Sequence, residues 1–520
     1  MLNLKQQPAA NAPPLSSDLM AAIGHIESAF PVLEWHVASI PVWPLLRIRW
    51  MFVEWARHYA GADAGPAAGL SGKRRLEQLI RGRAAARRAD RVDAQARDTG
   101  PEQRDIVFLS DGVSFARLGE RWIERFCDPI LVHARHRGLS SALWTPTHQH
   151  RSPRFTPSRF IQPAIDRANV TGALRARLGG GNVRLPALPQ VTSWLRQRGF
   201  SDGAFDIGKI CSDAFRVRAI AHLYGRMLRN TRPRLAFIVG FYSVEGMAFV
   251  LACRSSGIPV VDIQHGVQGE MHPAYAAWPA PTDGAAHALL PDHFWVWSDW
   301  ERDVINRWAH GSSHAAVVGG NPWMDVWQQG SRWPGAAAAL DAARAMLQRT
   351  AGRRVVLVTL QYGLNASEQL KPLAELLREA GDRFAFWVRL HPAMLDRREQ
   401  IRALLAAAGP CELDLPTDLP LQALLPCADV HLTHSSSTVI EAAQFGVRSV
   451  LTTYYGAELF DPLFASGMVQ LEVGAAPLLA SALARVAAAC SGQVPSAPPV
   501  SAALNRLLAD TVPVFEQKTI

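Results

Sequence analysis

Three short stretches of this chain concentrate side chains able to do chemistry. In THSSSTVIEAAQFG, Thr433 to Gly446, a His and three consecutive serines separate the apolar-alternating run DVHLT from a helical pattern ending at Gly446, where a left-handed cap belongs. Ser435, Ser436 and Ser437 would then surround a helix N-terminus. Unpaired N–H groups and the helix dipole favour an anion there, and small hydroxyls let a phosphate come close. One serine would suffice as a plain N-cap; three in a row after His434 point to phosphate. Glu441 follows within the helix among Val439, Ile440, Ala442, Ala443 and Phe445, where a carboxylate could accept from the two vicinal hydroxyls of a ribose. In WVRLHP, His391 ends a β-run with Arg389 two residues earlier on the same strand face, and a His so placed can compensate a leaving phosphate. The third stretch, VVDIQHGVQGEMHPAY, gathers Asp262, Gln264, His265, Glu270 and His272 at a strand end and its loop. A His titrating near neutrality suits general-base or electrophilic work. A metal set of His265, Glu270 and His272 matches no helical HExxH spacing, so none is expected.

The elements that must position these groups alternate from about residue 101 onward as β-run, loop and helix, the pattern of parallel α/β layers. DIVFLSDG is a predicted strand ending at Asp111, and WIERFCDPILVHARHRG the predicted helix after it; SSALWTPT is the next strand. A helical region, Ala164 to Arg229, leads to the strand RLAFIVG, the helix VEGMAFVLACRSSG and the strand PVVDIQHG. HFWVWSDWERDVINRW is a strand and helix with Ser298 as N-cap, and AAVVGGNP closes the half. A second series runs through RRVVLVTLQYG, which ends in Gln361, then SEQLKPLAELLREAG, FAFWVRLHP, ADVHLTHSSS and RSVLTTYYG. The expected organisation is a helical N-terminal region over 1–100, Rossmann-like halves over 101–322 and 323–490, and a linker with a last helix over 491–520. Ligands in such sheets sit beyond the carboxyl ends of strands, where all three stretches fall.

At 520 residues with 48% hydrophobic and 19% charged side chains, the chain has the composition of a globular enzyme. Six scattered cysteines form no CxxC pair, which excludes a zinc cage or disulfide framework as the organising principle. The start, MLNLKQQPAANAPPLSS, has no apolar core of a secretory signal, so a cytoplasmic location is expected. Only Leu235 to Cys253 approaches the length of a membrane span; Glu245 and Gly246 interrupt it, and a buried strand followed by a helix is the expectation. The net charge of +9 is uneven, with Ser71 to Arg91 densely basic. Beside that block, PVWPLLRIRWMFVEWARHY interleaves Trp43, Trp50, Phe52 and Trp55 with Arg47, Arg49 and Arg57. Residues 40–95 would therefore either touch an anionic membrane surface or pack as a helical face on the main body. No nucleic-acid partner is expected, because the basic run has no stacking platform.

Taken together, Gln264-His265-Gly266, His391-Pro392 and His434 to Ser437 resemble the motifs of GT-B-fold glycosyltransferases that build bacterial capsule and surface polysaccharide, the Kdo transferases and, more distantly, the sialyltransferases. The resemblance spans about residues 101–490 and implies two Rossmann-like domains around a cleft, with the nucleotide donor in the C-terminal half and the acceptor in the N-terminal half. It implies a sugar-nucleotide substrate, CMP-linked by preference, no metal or other cofactor, and a glycan or glycolipid acceptor at the inner face of the cytoplasmic membrane. His391 and Ser435 to Ser437 would contact the donor phosphate and Glu441 the ribose, with Arg389, His434 and Gln361 completing that site. VGGNPWMD is similar to the interdomain crossing of related GT-B proteins, including UDP-GlcNAc 2-epimerases, which would put a hinge near Asn321 to Asp325. The acidic pair before glycine that serves sialyltransferases as base is replaced by Ser110-Asp111-Gly112, so the carboxylate could be Asp111, Glu245 or Asp262; His265 is the first choice of base. A CDP-glycerol-type polyol-phosphate transferase and a nucleotide-sugar 2-epimerase are the alternatives.

Overall fold

The computed structural model describes residues 16–59, 103–149, 151–179, 181–280, 286–328, 333, 335–361, 369–454, 457–488 and 500–509. Its N-terminal half is built on seven parallel strands: β1 (Ile106–Leu109), β2 (Ser141–Thr145), β3 (Arg159–Phe160), β4 (Leu235–Val239), β5 (Val260–Ile263), β6 (His293–Val296) and β7 (Ala315–Val318). Their spatial order is β7-β6-β5-β4-β1-β2-β3. Every residue of β1, β4 and β5 is buried, as continuous apolar runs covered on both faces must be. The order reverses between β1 and β4, which opens a crevice beyond their carboxyl ends.

The C-terminal half repeats the principle with β8 (Arg354–Thr359), β9 (Phe384–Arg389), β10 (Val430–Thr433), β11 (Ser449–Leu451) and β12 (Val469–Leu471), ordered β9-β8-β10-β11-β12 and all parallel. Its reversal lies between β8 and β10. The two Rossmann-like sheets and a helical N-terminal region make the GT-B arrangement. Among the described residues, several contacts stitch the halves together, three of them prominent. A hairpin, Phe115–Leu118 with Arg121–Glu124, sends Leu118 and Ile123 into an apolar cluster with Trp323, Trp333 and Trp387. Asn321, in the Gly-Gly-Asn-Pro stretch, donates to Gln444 at 3.1 Å. A last helix, Val500–Ala509, returns to the N-terminal half, where Val500, Ala503, Leu504 and Leu507 join Ile130, Leu131 and Trp297.

One expectation changes in detail, and the expected strand and helix over Leu235 to Cys253 are found. The run Trp122 to Gly138 is not all helix: it is a hairpin strand through Glu124, with helix only over Cys127–His136. Cross-strand pairing of Arg121 with Leu118 leaves Gly119-Glu120 as a tight turn. Leu235 to Cys253 is β4 followed by a helix over Val244–Ser255, and no helix among the described residues is long and apolar enough to cross a membrane.

The N-terminal region supplies helices α1 (Ser16–Ala29) and α2 (Trp43–Tyr59), and the helix after the hairpin, Cys127–His136, is α3. The aromatic and basic side chains of α2 mostly face inward. Trp43 and Trp50 are buried in the core of the N-terminal half. Buried Arg47 pairs with Glu27 at 2.9 Å, donates to the Ala276 carbonyl at 2.5 Å and lies 4.1 Å from the Trp278 ring centroid. Arg49 pairs with Asp213. Phe52 alone among the four aromatics is exposed, at 47%. The basic stretch Ser71 to Arg91 lies outside the described residues.

Candidate active site

The crevice at the β1/β4 reversal is an open cavity of about 680 Å³. It is lined by Leu109, Ser110 and Asp111 at the end of β1 and by Val239 and Gly240 at the end of β4; α2 forms one wall through Ile48, Arg49 and Phe52, and the start of the Val244–Ser255 helix forms another. His265 enters from the loop after β5. Its Nε2 lies 3.0 Å from the Tyr242 hydroxyl, and its ring stacks on Tyr242 with Phe126 edge-on. Gly240 has φ +69°, and a Cβ there would stand 2.8 Å from His265 Cε1, so only glycine leaves room for this ring. Burial lowers the imidazole pKa below 6.5, which keeps His265 neutral near pH 7, and the negative charge of Asp111 opposes the shift and so stabilises the imidazolium.

The three candidate carboxylates separate cleanly. Asp111 lines the cavity, accepting from the Val113 and Ser114 amides at 2.9 and 2.8 Å. Glu245 also lines it, in a polar group with Asn169 at 3.3 Å and Arg216 at 3.6 Å. Asp262 does not reach it. It is fully buried, accepts from the Phe241 amide and the Tyr275 hydroxyl, both at 2.9 Å, and burial pushes its pKa up to about 7. Gln264 is likewise internal, donating to the Gly266 carbonyl and to Glu301 and accepting from the Trp297 amide. Exposed Glu270 pairs with Arg307, and the Nδ1 of buried His272 accepts from the Ala274 amide. Among the described residues no group of His, Cys, Asp and Glu is arranged to hold a metal.

On the facing side, the β8/β10 reversal brings Gln361 and Ser435 together: the Ser435 amide and hydroxyl both donate to Gln361 Oε1, at 3.0 and 3.3 Å. The helix after the serines is a short one, Thr438–Gln444, and Gly446 beyond it takes φ +73°. Ser437 is exposed, Ser436 accepts from the Thr438 amide at 3.4 Å, and His434 Nδ1 is 3.2 Å from the Thr452 hydroxyl. Burial pushes His434 down to about 4. Exposed His391 uses Nδ1 to accept from the Ala393 amide at 3.1 Å. Arg389 points elsewhere than expected. Its Nη1 donates to the Pro416, Thr417 and Leu419 carbonyls, fastening the 416–419 loop. Glu441 accepts from Gln422 at 2.5 Å, its pKa raised by burial against the opposing charges of Arg125 and Arg389.

Arg125 lies next to Phe126, whose ring stands edge-on to His265. It follows the hairpin, with its guanidinium 5.2 Å from the Phe126 ring centroid, and its charge acts on His265 in one half and on Glu441 and Arg389 in the other. Among the described residues it pairs with no carboxylate. The sequence expectations omitted Arg125, Tyr242, Phe126 and Gln422. The available signal for Arg125 was the alternating run FARLGERWIE around Gly119-Glu120, a hairpin pattern.

No protein-family model and no curated protein matches the chain. Among solved structures, UDP-GlcNAc 2-epimerase from Neisseria meningitidis bound to UDP-GlcNAc is similar at TM-score 0.48 and 14% identity, over 78% of this chain and 98% of the other. The Methanocaldococcus jannaschii UDP-GlcNAc 2-epimerase in complex with UDP-GlcNAc and UDP gives 0.47 and 14%, over 78% and 99%. Acinetobacter baumannii MurG gives 0.42 and 12%, over 78% and 98%.

Proposed function

We propose that this chain is a glycosyltransferase that moves a sugar from a nucleotide donor held by the C-terminal half to an acceptor hydroxyl presented in the N-terminal half. One observation carries the reading: a roomy cavity containing a neutral, half-buried His265 opens at the topological reversal of one sheet, and the polar cluster of Gln361, Ser435 and Glu441 lies at and beside the reversal of the other. The positive charge of Arg125 acts on both His265 and Glu441.

In the reaction, the acceptor O–H gives its proton to His265 Nε2, directly or through the Tyr242 hydroxyl 3.0 Å away. The acceptor oxygen bonds to the anomeric carbon as the bond from that carbon to the donor phosphate oxygen breaks, and the phosphate leaves with the electron pair. His391, Ser436, Ser437 and Arg125 meet the charge that develops on it. Asp111 stabilises the imidazolium formed, and Glu441, held by Gln422, accepts from the ribose. The donor is a CMP-sugar such as CMP-Kdo, and the acceptor a bacterial surface polysaccharide or lipid-linked glycan at the cytoplasmic face of the membrane; the likeness of the QHG, HP and HSSS motifs supports these choices.

Thermal-shift titration with CMP, CDP, UDP and GDP tests the donor assignment, with CMP expected to raise Tm most. Product analysis with CMP-Kdo and a glycolipid acceptor tests the transfer. Release of a 2-epimer from donor alone, or of a product retaining phosphate, would replace the proposal with an epimerase or a polyol-phosphate transferase respectively.

A further inference from the structure

A second large concavity lies on the flank of the N-terminal half. It is a groove of about 830 Å³ between α4 (Gln162–Leu178) and α5 (Ile207–Thr231), lined by Arg167 and Arg175 from one helix and Arg218, His222, Arg226 and Arg229 from the other. On α5 these residues recur three and four apart, so they share one face. All six side chains are exposed, and no Asp or Glu lines the groove. Among the described residues none of the five arginines takes part in an ion pair. Beside the groove, α4 presents Val170, Leu174 and Leu178, which are 52%, 52% and 83% exposed. Spaced by four, they form one ridge next to Arg167 and Arg175, and Arg177 follows on the outer side.

We infer that this flank docks on an anionic lipid membrane, with the groove arginines on lipid phosphates and the Val170-Leu174-Leu178 ridge at the boundary between headgroups and acyl chains. The charge of the groove requires an anionic occupant, and the ridge selects among anions. A soluble polyanion would engage the guanidinium groups and leave the leucines in water, whereas a bilayer surface satisfies both, since arginine stems lie along apolar surface while their heads reach phosphate. The basic stretch Ser71 to Arg91 of the same chain has the same sign as the groove and is no complement to it. The geometry also leaves the catalytic cleft open: α4 starts at Gln162, which lines the acceptor cavity, and the ridge occupies its far half. The surface is distinct from α2, whose Trp43, Trp50, Arg47 and Arg49 are engaged internally. The inference does not depend on which donor or reaction the cleft serves.

Co-sedimentation of the full chain with vesicles of phosphatidylcholine alone, and of equimolar phosphatidylcholine and phosphatidylglycerol, tests it. Binding is expected only to the anionic vesicles and should weaken with added salt. Arg218→Glu with Arg226→Glu, and separately Leu174→Ser with Leu178→Ser, should each lower vesicle affinity by at least about tenfold. All four positions are exposed, so Tm should stay at the wild-type value, and a single Arg226→Gln variant with a severalfold loss covers the case in which a double variant melts early. Absence of vesicle binding, or binding that both double variants retain, would overturn the inference. Retention on heparin without vesicle binding would overturn it in favour of a soluble polyanion.

Discussion

Asp262 is the candidate carboxylate whose role is most sharply decided by a single substitution, Asp262→Asn. The side chain is fully buried, and its two oxygens accept from the Phe241 amide and the Tyr275 hydroxyl. Burial raises its pKa from 3.8 to about 7 in the folded protein. The folded state therefore binds more protons than the unfolded state between these two values, so stability from this group is greatest in acid and falls as pH rises through the folded pKa. A shift of roughly three units corresponds to on the order of 4 kcal/mol of destabilisation once the carboxylate is ionised, at about 1.4 kcal/mol per unit. In the asparagine variant Oδ1 keeps the Phe241 bond, and the Tyr275 hydroxyl can rotate to accept from Nδ2, so the packing survives while the ionisation penalty disappears. Glu124 and Asp128, pushed by burial up to about 8 and about 6, titrate in the same window, so the quantity to follow is the difference between variant and wild type. Chemical denaturation from pH 5 to 9 should show the variant gaining stability relative to wild type with rising pH and levelling above about 7. Turnover should stay within severalfold of wild type, because Asp262 lies outside the cavity. A pH-independent difference would refute the burial argument, and a loss of turnover by more than about a hundredfold with the fold intact would make Asp262 the catalytic base after all.

The remaining expectations concern both halves. His265→Gln should lower kcat by at least about a hundredfold with little change in Tm, and in the wild type the acid limb of the kcat/KM profile should fall below the ordinary histidine pKa of 6.5, because burial disfavours the imidazolium. Gly240→Ala places a methyl against the His265 ring at positive φ; it should reduce turnover and cost about 1–2 kcal/mol in denaturant unfolding, whereas unchanged turnover would detach His265 from the chemistry. Gln422→Ala should weaken nucleotide affinity in calorimetry by about tenfold, since it frees the Glu441 carboxylate from its donor, with no effect on acceptor KM. Arg47→Met should destabilise by about 3–5 kcal/mol because buried Glu27 loses its partner, and adding Glu27→Gln should restore part of that.

The two-sheet architecture was legible because parallel strands buried on both faces read as unbroken apolar runs, and each ends in polar or glycine residues where the chain turns back. Ser298 as N-cap and Gly446 beyond the short helix follow from local chemistry alone, and both are present. Direction was less legible. Asp262, Gln264 and Arg389 stand at strand ends as anticipated, yet one residue of strand alternation or one turn of loop sends them inward, onto the Phe241 amide, the Trp297 amide and the 416–419 carbonyls. The same holds for α2, where an aromatic and basic pattern fits a membrane face and a core face equally well; the choice was made by distant partners, Glu27 and Asp213, that no local pattern identifies. Arg125 was hidden by the assignment of its hairpin to helix.

Arg125 is also the residue by which the two halves can be made to answer for one reaction. If the cleft performs transfer, a cation whose field reaches both His265 and Glu441 opposes protonation of the first and stabilises the ionised second, so it holds base and ribose acceptor in their working states at once. When a phosphate leaves between them, the same charge is compensated, and the brake on His265 protonation is released as the proton arrives. Arg125→Gln should therefore shift the His265-dependent acid limb upward in pH as well as lower kcat by about a hundredfold. A variant that loses kcat without moving the limb would assign Arg125 to the donor phosphate alone, and one that moves the limb without losing kcat would confine it to the acceptor side.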